Sequence, residues 1–172
     1  MTRPSILIAC VGNIFLGDDA FGVEVARALH RRPIPEDVRV VDFGIRGLDL
    51  TYALMDDYDT VVLVDASPQG EPPGTLVVLE PSVSEASEGP LLLEAHDLDP
   101  VKVLRMAEAM GANIRRLLVV GCEPTPMDES AAMPTVLSVP VARAVEEAVP
   151  LIESLIATLR LEREMSTPTG KG

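Results

Sequence analysis

Short runs of Val, Ile and Leu alternate along this chain with segments in which apolar residues recur at helical spacing. The first run, Ser5 to Val11, is almost continuously apolar, as is typical of a strand buried on both faces of a parallel sheet. Val23, Ala26 and Leu29 follow it at the spacing of one helix face. This alternation predicts an α/β fold, because a helical crossover must carry the chain back before the next parallel strand begins.

Five strands and four helices are expected from these patterns. The fourth strand comes so soon after the turn-forming Pro72-Pro73-Gly74 that we expect a hairpin and a position at the sheet edge. Pro150 predicts a kink in the last helix. The predicted strands are 5–11, 38–43, 60–65, 75–79 and 116–122, and the predicted helices are 20–31, 48–55, 100–110 and 139–163.

Length and charge limit the possible partners. A chain of 172 residues suits one domain, which we expect over 1–164, with a disordered tail over 165–172. Acidic residues outnumber basic ones by 27 to 14, and this excess opposes binding to phosphate backbones and anionic membranes. No uncharged stretch is long enough to span a bilayer, and two cysteines fit neither a disulfide framework nor a zinc finger. We expect a cytoplasmic protein that binds neither nucleic acid nor membrane.

Acidic residues and one histidine follow three of the predicted strands. Asp18 and Asp19 come shortly after the first strand, Asp65 ends the third, and His96 follows the fourth. Ligands of open parallel sheets bind beyond the carboxyl ends of the strands. Two carboxylates and an imidazole arriving there are the ligand set of a borderline divalent metal such as nickel or zinc.

Each of these residues has a simpler explanation when it is considered alone. Asp19 would interact favourably with a helix dipole, Asp65 would suit a turn, and His96 would suit a loop or a helix cap. Their joint occurrence at three strand ends is what favours a site. We expect Asp18 to be a solvated or capping neighbour and His30 to have no function.

The remaining acidic residues and the cysteines offer weaker candidates. The loop acids Glu80, Glu85, Glu88 and Glu94 are expected to form a solvated face. A nucleophilic Cys122 with His96 as its base is one alternative, although free cysteines are commonly buried in strands.

A nucleotide-binding module is another alternative, because glycines lie between the first strand and the first helix. A phosphate loop would place Lys and Ser or Thr after the second glycine. This chain places Asp18 and Asp19 there, and these carboxylates would repel a phosphate. A cation is therefore a better ligand for this loop than a phosphate.

Several spaced motifs together resemble those of the hydrogenase maturation proteases. In order along roughly residues 6–145 they are Cys10-Val11-Gly12-Asn13, Gly17-Asp18-Asp19-Ala20-Phe21-Gly22, Asp42-Phe43-Gly44-Ile45-Arg46-Gly47-Leu48-Asp49-Leu50, Val64-Asp65-Ala66 and His96-Asp97-Leu98. The resemblance implies a phosphorylase/hydrolase-like fold, a three-layer α/β/α sandwich with a twisted, mainly parallel five-stranded sheet.

The resemblance also implies an activity. Members of this family are endopeptidases that remove a short C-terminal extension from the large-subunit precursor of a nickel-iron hydrogenase after nickel insertion. This chain would then be an aspartyl-type or metal-assisted endopeptidase that acts on such a precursor. Its nickel would be supplied by the precursor, and no permanently bound metal is expected. A non-catalytic chaperone that checks the precursor for nickel is the alternative from a different class.

Matched by position, the resemblance makes Asp19, Asp65 and His96 both the nickel ligands and the catalytic residues. The first of these positions is Glu or Asp in the family, so Asp19 is an allowed variant with a shorter reach. Cys10 stands where many members have Gly.

A second motif of the family is matched by Asp42 and by the turn from Gly44 to Gly47. We interpret this motif as positioning the substrate.

Overall fold

The computed structural model describes residues 3–84, 100–128, 130–132 and 134–167. Its strands are β1 (Ile6–Val11), β2 (Val38–Gly44), β3 (Thr60–Ala66), β4 (Leu76–Leu79) and β5 (Leu117–Cys122). Its helices are a 3-10 turn (Gly17–Ala20), α1 (Phe21–Leu29), α2 (Gly47–Leu54), α3 (Pro100–Ala109) and α4 (Val139–Ser166). Each strand and helix predicted from the sequence is present, with ends that differ by a few residues.

The five strands form one sheet in the order β2-β1-β3-β5-β4. β1 pairs in parallel with β2 and β3, β3 pairs in parallel with β5, and β4 runs antiparallel to β5. Cys10 lies opposite both Asp42 and Val64, so the first three strands end close to one another. The predicted α/β fold with a mainly parallel sheet is confirmed.

The fourth strand lies at the sheet edge, as predicted, but the predicted hairpin with β3 is wrong. The connection after β3 first crosses the end of β5, where the Ser67 amide donates to the Cys122 carbonyl at 2.8 Å. The Gly74 amide then donates to the Glu123 carbonyl, also at 2.8 Å. As a result, β4 pairs with β5 on the side away from β3, and β3 itself stays paired with β5.

Two helical layers cover the sheet. One core cluster joins Ile6, Ile8 and Cys10 of β1 to α1 and α4, and the other joins Leu7, Ala9 and Val11 to α2 and α3. Successive side chains of a strand point to opposite faces, so an uninterrupted apolar strand fills both clusters. The three-layer sandwich follows directly from that pattern.

The termini of the elements show smaller differences from the predictions. α4 extends to Ser166, two residues into the predicted tail, and it continues through Pro150. The kink at Pro150 stays a prediction, and so does the cytoplasmic location. Residues 85–99 and 168–172 lie outside the described residues. Within the described part, no helix combines the length and hydrophobicity that a bilayer crossing requires.

The amino end of α1 lies directly against the carboxyl ends of β1 and β3. A Cβ atom added to Gly22 would be 2.2 Å from the carbonyl oxygen of Val11 and 2.4 Å from that of Val64. No side chain fits between the helix and these strands. Glycine at this position therefore sets how closely α1 covers the edge where β1 and β3 end.

Gly22→Ala should lower the free energy of unfolding by about 3 kcal/mol, because overpacking a closed contact forces backbone to move. Chemical denaturation of both proteins measures the difference. Arg27→Ala, on the exposed side of the same helix, is the control and should change stability by less than about 0.5 kcal/mol. Equal stability of the two variants would contradict the close approach.

Candidate functional site

The loop after β1 folds back over the end of its own strand and holds Asp19 there. The backbone amide of Asn13 donates to Asp19 Oδ2 at 3.0 Å. A Cβ atom on Gly12 would lie 2.1 Å from the carbonyl oxygen of Asp19, and Gly12 has a φ of 151°. Glycine is therefore required where the two ends of this turn meet, and the contact fixes the Asp19 backbone.

Asp65 lies at the carboxyl end of β3 and is only 4% exposed. Its Oδ1 accepts a hydrogen bond of 2.8 Å from the backbone amide of Ala66. Cys10 pairs with Val64, so Asp65 stands one residue further along, beside the end of β1. A carboxylate buried to this degree requires hydrogen bonds or a cation to offset its lost hydration.

The structure therefore brings two of the three predicted ligands, Asp19 and Asp65, to the carboxyl ends of two adjacent parallel strands. The third, His96, lies outside the described residues, so the meeting of all three stays a prediction. Among the residues that are described, no three His, Cys, Asp or Glu side chains form a metal-binding group.

Asp42 organises the turn after β2. Its Oδ1 accepts a 2.8 Å hydrogen bond from the amide of Gly44, which has a φ of +53°. The Arg46 guanidinium donates to the Asp42 carbonyl, and the Gly12 amide donates to the Gly44 carbonyl at 3.0 Å. These contacts give Asp42 a structural role and tie the β2 turn to the β1 loop. Its predicted role with Gly44 and Gly47 in positioning a substrate stays a prediction.

Asp18 has a capping role and is well bonded. Its Oδ1 accepts from the Ser138 amide at 2.7 Å, and its Oδ2 accepts from the Ser138 hydroxyl and the Thr125 amide, each at 2.9 Å. Ser138 is the residue before α4. Gly17 also packs on Pro134, where an added Cβ would meet Pro134 Cγ at 3.0 Å. Asp18 thus fastens the β1 loop to the segment between β5 and α4.

Glu123 is a buried carboxylate that the sequence prediction missed. It is 8% exposed and accepts hydrogen bonds from the amides of Gln69 at 2.5 Å and Gly70 at 3.3 Å. It therefore holds the loop that follows Asp65. The available signal was its position directly after an apolar strand, the same position that drew attention to Asp65.

Two other groups considered from the sequence have local partners. His30 Nε2 lies 3.0 Å from the carbonyl oxygen of Val40, which accounts for this histidine structurally. Exposed Glu80 bonds Arg116 at 2.5 Å through Oε1, and this contact lowers the pKa of Glu80. Glu85, Glu88 and Glu94 lie outside the described residues.

The two cysteines are buried thiols whose ionisation is suppressed. Burial raises the pKa of Cys10 far above its ordinary value, and the nearby carboxylates of Asp42 and Asp65 raise it further. Burial, with smaller contributions from acidic neighbours led by Asp18, raises the pKa of Cys122 to about 12. Neither thiol supplies the thiolate that a cysteine nucleophile needs, which argues against the Cys122 alternative.

Comparisons with known proteins agree with one another. The hydrogenase maturation protease family model HycI matches residues 23–155. The hydrogenase expression/formation protein HupD of Rhizobium leguminosarum bv. viciae is 31% identical over 127 residues, which are 73% of this chain and 62% of HupD. HoxM of Azotobacter vinelandii, with the same description, is 32% identical over 130 residues, which are 75% of this chain and 62% of HoxM. The match thus spans less than two thirds of these two relatives.

The fold is shared with a solved structure, the hydrogenase maturating endopeptidase HybD from E. coli. Its TM-score is 0.71 at 29% sequence identity, and the match covers 94% of each chain.

Asp18→Ala should lower the free energy of unfolding by about 2 kcal/mol, because three donors lose a charged acceptor. Denaturant unfolding measures this loss. The control is Asp49→Ala, which removes an exposed carboxylate 3.3 Å from Arg46 and should cost less than about 0.5 kcal/mol. A loss no larger than that of the control would show that the Asp18 contacts do not stabilise the loops.

Native protein at pH 8 should react with a thiol-specific disulfide reagent at least about 100-fold more slowly than unfolded protein, because both thiols are buried and protonated. The colour released by the reagent measures the rate, and denaturation should expose two thiols per chain. Reactivity should stay low as the pH rises toward 10, since the pKa of Cys122 is near 12. One fast-reacting thiol in the native protein would contradict this assignment.

Proposed function

The chain belongs to the hydrogenase maturation protease family, and from this we propose that it is an endopeptidase that processes the large-subunit precursor of a nickel-iron hydrogenase. It removes the C-terminal extension of that precursor after nickel has been inserted. The observation that carries the proposal is the placement of Asp19 and Asp65, in the order of the family motif, at the ends of neighbouring parallel strands.

The oxygen donors in this arrangement suit a divalent cation. Asp19 and Asp65 each accept a hydrogen bond from a backbone amide, and such contacts orient a carboxylate before a cation arrives. His96 would add an imidazole, a ligand that suits nickel. In this proposal the nickel belongs to the substrate, and the protease carries no metal of its own between turnovers.

Recognition of the metal then places the scissile peptide. Asp19 and Asp65 hold the nickel of the precursor at the sheet edge, so the neighbouring peptide bond lies beside the β1 loop and the end of β3. Nickel supplies one of two hydrolytic functions there, polarisation of the carbonyl or activation of a water. This chain contributes by positioning the metal and the peptide, because its carboxylates are held by backbone groups of the sheet and of a closed turn.

The test is incubation of the chain with a nickel-iron hydrogenase large-subunit precursor, prepared with and without nickel. Mass spectrometry should show loss of the C-terminal extension with the nickel-loaded precursor and no change without nickel. An unchanged mass together with a stable complex would identify a nickel-checking chaperone. Tight binding of a nucleotide in a titration would support the nucleotide-binding alternative.

Asp19→Asn, Asp65→Asn and His96→Ala should each slow this processing by at least about 100-fold, because loss of an outer partner of a metal ligand already costs about 10- to 100-fold. Matched controls are Asp56→Asn, an exposed carboxylate just after α2 that lies 3.8 Å from Arg39, and His30→Gln, the other histidine of the chain. Both should process the precursor within about twofold of the unmodified chain. Normal processing by His96→Ala would overturn its assignment as a ligand.

A further inference from the structure

Large apolar side chains are exposed around the edge that carries Asp19 and Asp65. They lie in pairs in the loop after β1, at the start of α2 after β2, and in the segment that leads into α4. Their exposed fractions are 43% for Ile14, 74% for Phe15, 47% for Ile45, 57% for Leu48, 73% for Val136 and 66% for Val139. These six residues are called the apolar rim below.

Hydrogen bonds tie together the segments that carry the three pairs. The Gly12 amide donates to the Gly44 carbonyl at 3.0 Å and links the loops that follow β1 and β2. The Asp18 bonds to Ser138 link the β1 loop to the start of α4. The apolar rim therefore lies on the β1 loop, which also carries Asp19, and on two segments that are hydrogen-bonded to this loop.

Exposed apolar surface of this kind is typical of binding sites. Monomeric proteins seldom leave several large apolar side chains together in water unless a ligand or partner covers them. The fully buried centres of protein interfaces are apolar and contain few charges. One pair of the apolar rim shares the β1 loop with Asp19, and the other two pairs lie on segments bonded to that loop, so the rim is a candidate contact surface for a partner that brings a peptide to Asp19.

Charge indicates which partner segment fits. The segments 12–20, 44–50 and 124–139 contain five acidic residues and one basic residue, Arg46. Arg46 is engaged, since it lies 3.3 Å from Asp49 and donates to the Phe43 carbonyl at 3.1 Å. The loops that bear the apolar rim thus offer apolar contacts inside a negative field. Basic side chains on the partner would be attracted and acidic ones repelled.

We propose that the apolar rim is the docking surface for the precursor, and that it accepts an apolar segment flanked by Lys or Arg. This inference rests on the proposed function, because it takes the hydrogenase precursor as the occupant. A second copy of this chain is a poorer occupant, since each copy carries a net charge of -13.

Phe15→Glu and Val136→Glu, singly and together, test the surface on two different loops. Processing of nickel-loaded precursor, measured over a range of precursor concentrations, should show KM raised at least tenfold by the double variant. We expect kcat to stay within twofold, because neither residue contacts the reacting bond. The separate variant Phe15→Leu keeps an apolar side chain at this position, and its KM should stay within threefold of that of the unmodified chain.

Matched controls are available at the other end of α4. Leu161 and Met165 are 61% and 79% exposed, and Leu161 lies about 33 Å along the helix from Val139. Leu161→Glu and Met165→Glu should leave KM unchanged. Raised salt should increase KM for the unmodified chain, because attraction between exposed charges is screened.

The outcomes separate the two proposals. An unmodified chain that leaves nickel-loaded precursor uncut overturns the proposed function and this inference with it. Normal cleavage combined with equal KM values for the rim variants and the Leu161→Glu control overturns the inference alone. A loss confined to kcat, or an unmodified chain that forms a dimer broken by Phe15→Glu, would also overturn it.

Discussion

The closure of the β1 loop over the end of its own strand is the contact on which this site depends. Gly12 meets the backbone of Asp19, and Gly22 meets the carbonyl oxygens of Val11 and Val64, all without room for a side chain. Because a side chain at either glycine would collide with backbone, these contacts set the position of the loop and of α1 at the strand ends. That position places Asp19 beside the strand that carries Asp65. A shift of the loop would move Asp19 away from that strand.

The same edge places two carboxylates, buried Asp65 and half-buried Asp42, near the buried Cys10 thiol. Asp42 and Asp65 act together on the Cys10 thiol, whose pKa is raised by its burial and by both carboxylates. Carboxylates at this edge favour a bound cation over a bound anion. Asp18 and Asp19 likewise disfavour a phosphate in the β1 loop, although its glycines lie between a strand and a helix as in a phosphate-binding turn. The charge at this edge therefore suits a positively charged ligand.

The sequence predicted those parts of the structure that depend on local pattern. Continuous apolar runs located the buried strands, and the strand ends located Asp19 and Asp65, because parallel strands finish at a common edge. The hairpin failed because turn residues at Pro72 to Gly74 indicate a reversal without indicating which strand receives it. That choice depends on bonds from Ser67 and Gly74 to Cys122 and Glu123, at and just after the end of β5 and more than forty residues away. A local sequence pattern does not identify hydrogen-bond partners that lie so far away in the chain.

The neighbouring residues Asp18 and Asp19 show the same limit at the scale of one side chain. Their side chains are identical, and the sequence separates their roles only through the family resemblance, without naming their partners. Asp18 bonds Ser138 and Thr125, more than a hundred residues distant, while Asp19 bonds Asn13. The bonds of Asp18 hold two parts of the structure together, the β1 loop that bears Asp19 and the start of α4. The proposed nickel ligand and the Val136 side of the apolar rim are therefore held by one carboxylate. A precursor docked on the Val136 side of the apolar rim would therefore lie at a fixed distance from Asp19, so the same contacts would position both the docking surface and the metal ligand.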